Sequence, residues 1–411
     1  MRIALINHSD TRGGASVVTM RLTEALRELG HDARLFVVSS QAGNNAVECV
    51  PSPLRHKLCF LAEHALIFAS NGFNRADLFK ASAASHGLNV ADIPFVKQAD
   101  AVILNWINQG MLSFHGIEQL AKDGRPLLWT MHDMWNMTGI CHHAGTCTQY
   151  ISPGQCRNCP LLHGINLGST LSHSVWKKKR KLYENTKINF VAVSSWLREL
   201  ADKSTLLADR PVHTIHNAFP VDDFKTVPAT PANALGLPEN RKIILMGAAR
   251  LDDPVKGLDL AVEALGKLQS KDAVAVFFGN IRNQQILDKL KFPHIWLGPV
   301  NDNEKIKQLY AHAHIVLSSS LYETLPGTLI EGQAAGAFPV SFDRGGQRDI
   351  ITCPEEGALI PFGDTSDMAH ALDNALRKSH SRNFLHNAVA AKFKASDIAE
   401  KYINLIKQIS V

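Results

Sequence analysis

No long apolar run interrupts this sequence. Nothing in it approaches the roughly eighteen consecutive apolar residues that span a bilayer. The opening Met1-Arg2-Ile3-Ala4-Leu5-Ile6 is cut short by Asn7-His8-Ser9-Asp10, too early for the apolar centre of a signal peptide. A cytoplasmic protein is expected. Cysteine is scarce and odd in number, 7 in 411 residues. Without export signals this argues for reduced thiols or a metal site rather than a disulfide framework. A strong charge of one sign is missing too, since 43 Lys and Arg against 38 Asp and Glu leave a formal +5. That excess can help attract diphosphates or an anionic membrane, but no basic and aromatic pattern recurs to suit a nucleic acid. Internal repeats and low-complexity tracts are also lacking.

What is present alternates. Residues 2–7 form a short apolar run leading into His8-Ser9-Asp10-Thr11-Arg12-Gly13-Gly14. Residues 15–29 follow, with Val18, Leu22, Ala25, Leu26 and Leu29 at helical spacing and Gly30 as a stop. Residues 33–38 read as a second strand, completing a strand, glycine turn, helix, strand unit. Strand-like segments at 100–105, 126–133, 190–194 and 212–217 continue the series, so the first half is predicted to be a doubly wound sheet. Pro220, Pro228, Pro231 and Pro238 then mark 218–240 as a linker. A second series follows, with strands at 242–247, 273–279, 294–297, 314–318 and 338–342 and helices at 257–268, 304–313 and 327–336. This alternation demands parallel pairing, and the length suits two α/β domains of roughly 200 residues each. The prediction is a first domain over 1–218 with a Cys-rich insertion near 136–165, a second over 219–390, and a terminal segment, 391–411, whose helix-like 396–409 returns to the first. Open α/β sheets bind ligands at the carboxyl ends of their strands.

Chemistry concentrates in the second half. Gly247-Ala248-Ala249-Arg250-Leu251-Asp252-Asp253-Pro254-Val255-Lys256-Gly257 is a strand end and loop delivering an Arg and a Lys just before a helix. Guanidinium, ammonium and helix-start N–H groups stabilise a departing diphosphate without a metal. A pair of solvated loop charges would read the same way. Glu323-Thr324-Leu325-Pro326-Gly327-Thr328-Leu329-Ile330-Glu331 sets two carboxylates eight residues apart, with Pro-Gly opening a helix between them. Glu323 then precedes the helix and Glu331 lies about one turn inside, so a ligand over the helix start can meet both. Carboxylates suit sugar and ribose hydroxyls. Glu331 also stands among Ala334, Ala335, Gly336 and Ala337, where an unpaired charge is costly. A surface Glu pair is the bland alternative.

With Gln333-Ala334-Ala335-Gly336-Ala337-Phe338-Pro339-Val340 behind it, this Glu-x7-Glu element and Arg250…Lys256-Gly257 resemble the donor site of the GT4 family of retaining glycosyltransferases. The resemblance takes in Gly13-Gly14-Ala15, Val193-Ser194-Ser195-Trp196-Leu197 and His216-Asn217-Ala218, nearly the whole chain. It implies an α/β, GT-B architecture: two Rossmann-like doubly wound domains facing each other across a cleft. It also implies transfer of a sugar from a UDP- or GDP-sugar to a glycan or lipid-linked glycan, in a bacterial surface polysaccharide pathway. By that resemblance Arg250 and Lys256 hold the donor diphosphate, the amides of Thr324 and Leu325 add phosphate contacts, Glu323 touches the transferred sugar, and Glu331 binds the ribose. His132, in Leu128-Trp129-Thr130-Met131-His132-Asp133-Met134-Trp135, takes the place of the family's ring-contacting His, with Asp133 orienting the ring or meeting the acceptor. The Gly13-Gly14 turn would bring backbone close to the phosphates or acceptor. Retention is explained by a front-face attack in which the leaving phosphate accepts the acceptor proton, so neither a protein nucleophile nor a catalytic metal is expected. Asn105, in Leu104-Asn105-Trp106-Ile107, departs from a pattern that often has His there.

Two features lie outside the donor pattern. Cys141, Cys147, Cys156 and Cys159 fall within nineteen residues. Their type and number suit a tetrahedral structural Zn²⁺, although the gaps match no common finger, and reduced buried thiols or disulfides are alternatives. Four protein ligands would leave no open position for Lewis-acid catalysis. Trp176-Lys177-Lys178-Lys179-Arg180-Lys181 sets a Trp beside five cations, fitting either peripheral docking on the inner membrane or a solvated helix face. Two rival functions are a nucleotide-sugar 2-epimerase of the same fold, which releases a free epimerised product, and a non-catalytic zinc-bearing binding protein indifferent to loss of Glu323 or Lys256.

Overall fold

Two all-parallel sheets carry the chain. The first holds β1 (Arg2–Ile6), β2 (Asp32–Val37), β3 (Val47–Cys49), β4 (Ala101–Leu104), β5 (Leu127–Met131), β6 (Ile188–Ala192) and β7 (Val212–Thr214), in the order β3-β2-β1-β4-β5-β6-β7. The second holds β8 (Lys242–Arg250), β9 (Ala273–Asn280), β10 (His294–Trp296), β11 (Ile315–Ser318), β12 (Phe338–Phe342) and β13 (Ala358–Ile360), in the order β10-β9-β8-β11-β12-β13. The computed structural model describes all residues except 42, 152, 164–166, 225–227 and 411, and the backbone alone at 167–169. Residues 225–227 of the expected linker, and 152, 164 and 165 of the Cys-rich segment, lie outside the described residues.

Parallel strands need helical crossovers on both faces, so their centres are buried on both sides and read as unbroken apolar runs. Ile3, Ala4, Leu5 and Ile6 of β1 and Val102, Ile103 and Leu104 of β4 are fully buried. In the second sheet Ala275, Phe277, Val340 and Phe342 pack with Leu265 and Leu372 from the covering helices. Each sheet reverses its strand order at one place, between β1 and β4 and between β8 and β11. The loops that leave such a switch point diverge and leave a crevice.

The chain forms two compact units, Met1–Ala218 with Ser396–Val411, and Phe219–Ala395. Entry into the second unit and exit from it are tied together, Phe219 N donating to Phe393 O at 2.9 Å and Ala395 N to Phe219 O at 3.0 Å. The last helix, Ala395–Ile409, buries Ile398, Tyr402, Leu405 and Ile406 on the first unit, where Tyr402 Oη meets Thr130 Oγ1 of β5 at 2.9 Å. Helix α1 (Gly14–Glu28) joins β1 to β2, and α2 (Pro53–Ser70) follows β3.

One expectation is corrected by the helix Leu167–Asn185. Its basic run does not present Trp176 to the outside, because that ring is 4% exposed, stacks on His173, and donates Nε1 to Thr205 Oγ1 at 3.0 Å. Lys179 turns inward as well. Its ammonium sits 3.4 Å from the Trp135 ring centroid and donates to the carbonyls of Trp135 and Thr138. Burial pushes that amine well below its usual range. Helical spacing therefore splits the run into two residues that pack and four, Lys177, Lys178, Arg180 and Lys181, that face water. The aromatic anchor that membrane docking needs is missing from this face.

Candidate functional site

In the second unit the site grows from the carboxyl ends of β8 and β11. A bulge between Gly247 and Arg250 shifts the register of β8 against β9, and Arg250, paired with Asn280, ends the strand where the following loop begins. That loop closes as one turn of 3₁₀ helix, Pro254–Lys256, with the Asp253 side chain accepting from Val255 N at 3.1 Å. Gly257 follows at φ 63°, and a Cβ there would lie 2.2 Å from Ser319 O, so glycine is what lets the loop seat beside the end of β11. Leu321 N donates to Val255 O at 2.7 Å and Ser319 Oγ to Lys256 O at 3.0 Å.

This stitching delivers the Lys256 ammonium to Glu323 Oε1 at 2.5 Å, and Ser320 Oγ donates to the same oxygen at 3.0 Å. Gly346 N holds the Glu323 carbonyl at 2.9 Å. Arg250 forms ion pairs with Asp252 and Asp253, each at 3.5 Å. Arg250 and Lys256 keep 38% and 33% of their side chains exposed. Pro326 precedes the helix Gly327–Ala334, so Thr324 and Leu325 stand just ahead of its first turn and Glu331 is its fifth residue. Two half-exposed cations, a carboxylate and a helix start thus share one strand-end loop system. Such a group can exchange its internal ion pairs for an anionic ligand that carries hydroxyls.

In the first unit the predicted residues also sit at strand ends. Gly13, at φ 87°, turns the chain into α1, and an added side chain would meet nothing within 4 Å at Gly13 or Gly14. His132 and Asp133 follow β5 directly. His132 Nε2 is 3.1 Å from Asn105 Oδ1, while Asn105 Nδ2 donates to Ile103 O at 3.4 Å. Burial pushes His132 down to about 4, against the pull of Asp133, so the ring is neutral at neutral pH. Asn105 therefore has a role, that of a hydrogen-bond partner to the His132 ring.

Asp133 is a hub. Oδ1 accepts from Trp135 N at 2.8 Å; Oδ2 accepts from Trp106 Nε1 at 2.9 Å and lies 2.7 Å from His142 Nδ1. The other nitrogen of His142 meets Ser82 Oγ at 3.0 Å. Burial acts to raise the Asp133 carboxyl, but the charge and hydrogen bond of His142, with His143 and the Trp135 amide, hold it down to about 2. Beside this network His8 packs edge-on against Trp106 and His56, with ring centroids at 5.6 and 5.3 Å. Burial, His56 and Arg12 push His8 down to about 4. Sequence reading missed His8, Trp106 and Ser82 as partners, and missed His142 as well. Its position nine residues past Asp133 carries no helical or strand period that would pair them.

The cysteines behave differently from the zinc expectation. Cys141, Cys147, Cys156 and Cys159 line one pocket and all are free thiols. Among the described residues, however, no three Cys, His, Asp or Glu side chains converge as a metal-ligand set. Gly139 N donates to Cys156 Sγ at 3.1 Å and Gln149 N to Cys147 Sγ at 3.4 Å. Burial pushes Cys141 up to about 12 and Cys156 up to about 11, so both stay protonated. Of the alternatives, this geometry fits reduced, packed thiols.

Two solved structures share this fold over nearly its full length. One is Anabaena HepE in complex with UDP, 16% identical, TM-score 0.65, covering 99% of this chain and 100% of that one. The other is WaaG, a glycosyltransferase involved in lipopolysaccharide biosynthesis, 15% identical, TM-score 0.61, covering 98% and 99%. The class is thus a two-domain α/β protein with the GT-B fold of glycosyltransferases. More particularly, residues 231–391, which include Arg250, Lys256, Glu323 and Glu331, match the family model Glycosyl transferases group 1. Glycogen synthase of Thermotoga petrophila is 28% identical over 190 residues, 42% of this chain and 39% of that one. The chain therefore spans about two-fifths of the length of that curated relative.

Proposed function

We propose that the chain is a retaining glycosyltransferase of the GT4 kind, moving a sugar from a UDP- or GDP-sugar to a glycan or lipid-linked glycan acceptor in the synthesis of a bacterial surface polysaccharide. The observation that carries this reading is the Lys256–Glu323 pair beside Arg250 at the strand ends of the second unit. The UDP bound by HepE and the lipopolysaccharide role of WaaG agree with it.

In this reading Arg250 and Lys256 take the donor diphosphate, with the amides of Thr324 and Leu325, and neutralise the charge that builds as it leaves. Donor binding draws Lys256 from Glu323, and the released carboxylate holds the transferred sugar while Glu331 binds the ribose. His132, neutral, meets a hydroxyl of the transferred sugar. Asp133, with both oxygens engaged, is a positioning residue rather than a contact. The leaving phosphate takes the acceptor proton, which gives retention without a protein nucleophile. Nucleotide-sugar donors belong to the cytoplasm, where the enzyme works. Gly13 and Gly14 supply the open backbone over which phosphate or acceptor passes.

The test is a thermal-shift screen against UDP, GDP, ADP and their sugar conjugates, with Lys256→Ala alongside. Stabilisation by one nucleotide, lost in the variant, is the expected result. No shift with any nucleotide would sink the reading. Release of a free epimerised sugar in the absence of acceptor would replace it with the epimerase.

A further inference from the structure

Ten large apolar side chains are exposed among the described residues, and six of them, Leu54, Leu58, Leu61, Leu66, Phe73 and Phe79, lie in one short stretch of the first unit. Scattered singly, exposed apolar residues need no explanation; gathered like this they mark an interaction surface. Successive helix residues are turned by about 100°. Leu54, Leu58, Leu61 and Ala65 consequently form one stripe along α2. The opposite side of the helix holds Glu63, Ile67 and Ser70, which are buried in the unit. The helix is firmly seated by that inner face, because Glu63 accepts from Ala83 N at 3.0 Å and Gly110 N at 3.2 Å.

The exposed charges along the stripe itself are cationic. Arg55 and Lys57 flank it on either side, both exposed, and the exposed Arg75 lies two residues from Phe73. The acids of 53–80 do not oppose them: Glu63 faces inward, and Asp77 is paired with Lys80 at 2.9 Å. Phe73 and Phe79 are 69% and 65% exposed, yet each is braced from behind, Phe73 by Phe68 at 5.5 Å and Phe79 by His64 at 5.0 Å between ring centroids. An apolar stripe with cations along its rim and projecting aromatic rings is the composition that settles into the headgroup layer of an anionic bilayer.

We infer that the outer face of α2, with Phe73 and Phe79, docks the protein on an anionic membrane surface. No helix among the described residues is long and apolar enough to cross a membrane, so the contact is peripheral. The inference rests on this face alone, and its failure leaves the sugar-transfer reading standing.

The experiment is flotation of the full chain with vesicles of phosphatidylglycerol mixed with phosphatidylcholine, against pure phosphatidylcholine. Binding to the anionic vesicles at least about tenfold above the neutral ones is expected from charge and apolar insertion together. The double variant Leu58→Glu, Leu61→Glu should lose that binding while melting like the parent, since both side chains are exposed. Arg55→Glu with Lys57→Glu should reduce it, and Lys177→Glu with Lys178→Glu should leave it unchanged. Equal flotation with both vesicle types, no flotation at all, or undiminished binding by the leucine variant overturns the proposal. So does a dimer in solution that the leucine variant dissociates, for then a second copy covers this face.

Discussion

The strand-end groups of the two units are built on opposite electrostatic plans. Lys256, Glu323 and Arg250 are partly exposed and paired with one another or with loop acids, so each partner can be exchanged for a ligand atom at little cost. Asp133 and His142 are sealed, 8% and 7% exposed, with Asp133 bonded to Trp106 and Trp135 as well. Removing one member there strands a buried charge. Partly open pairs are suited to binding; closed networks are suited to holding shape. The same residue type, a carboxylate after a strand, takes either part according to what surrounds it.

The sharpest way to break that contrast is to neutralise one carboxylate from each unit. Glu323→Gln should cost on the order of a thousandfold in kcat/KM for sugar transfer while changing folding stability by less than about 1 kcal/mol, as expected for a transition-state contact in a partly exposed pair. Steady-state kinetics and denaturant melts on one preparation decide it, and a large stability loss would make the pair structural. Asp133→Asn should do the reverse, costing about 3 kcal/mol of stability. If it melts like the parent, Asp133 is no hub.

The smallest expected effect is on pH. His132 is held at about 4 against an ordinary 6.5, so the folded protein disfavours its protonation. Stability from this group is complete above pH 6.5 and drains away as pH falls from there to about 4. At about 1.4 kcal/mol per unit this amounts to on the order of 3 kcal/mol by pH 4. His8, also near 4, acts in the same direction. Asp133 contributes nothing to this slope, because its share is lost only below 3.8. Denaturant midpoints between pH 7 and 4 should therefore fall less steeply for His132→Gln than for the parent; parallel curves would show that His132 is not the group responsible.

The two plans were not equally legible in the chain. Arg250, Lys256, Glu323 and Glu331 lie on loops and a helix start separated by regular apolar runs, and their spacing survives folding because each follows a strand of the same sheet. The hub was invisible, since Ser82, Trp106, Asp133 and His142 come from four segments with no common period. Edge strands β3 and β13 went unread, while the equally short edge strands β7 and β10 were found. The basic run misled for a simpler reason: identity places a Lys on a helix, but not on the outer side of it.

The sequence alone determined the alternation of strands and helices, and with it two parallel sheets, because buried parallel strands must be apolar throughout and their crossovers must carry a helical stripe. It also determined which strand ends carry Arg250, Lys256 and Glu323. Only the tertiary structure decided which polar groups are sealed and which are open, that among the described residues the cysteines line a pocket without forming a metal-ligand set, that Trp176 and Lys179 point inward, and that the leucines of α2 point outward. Burial is a property of what packs across a residue, and the packing partner is usually distant in the chain.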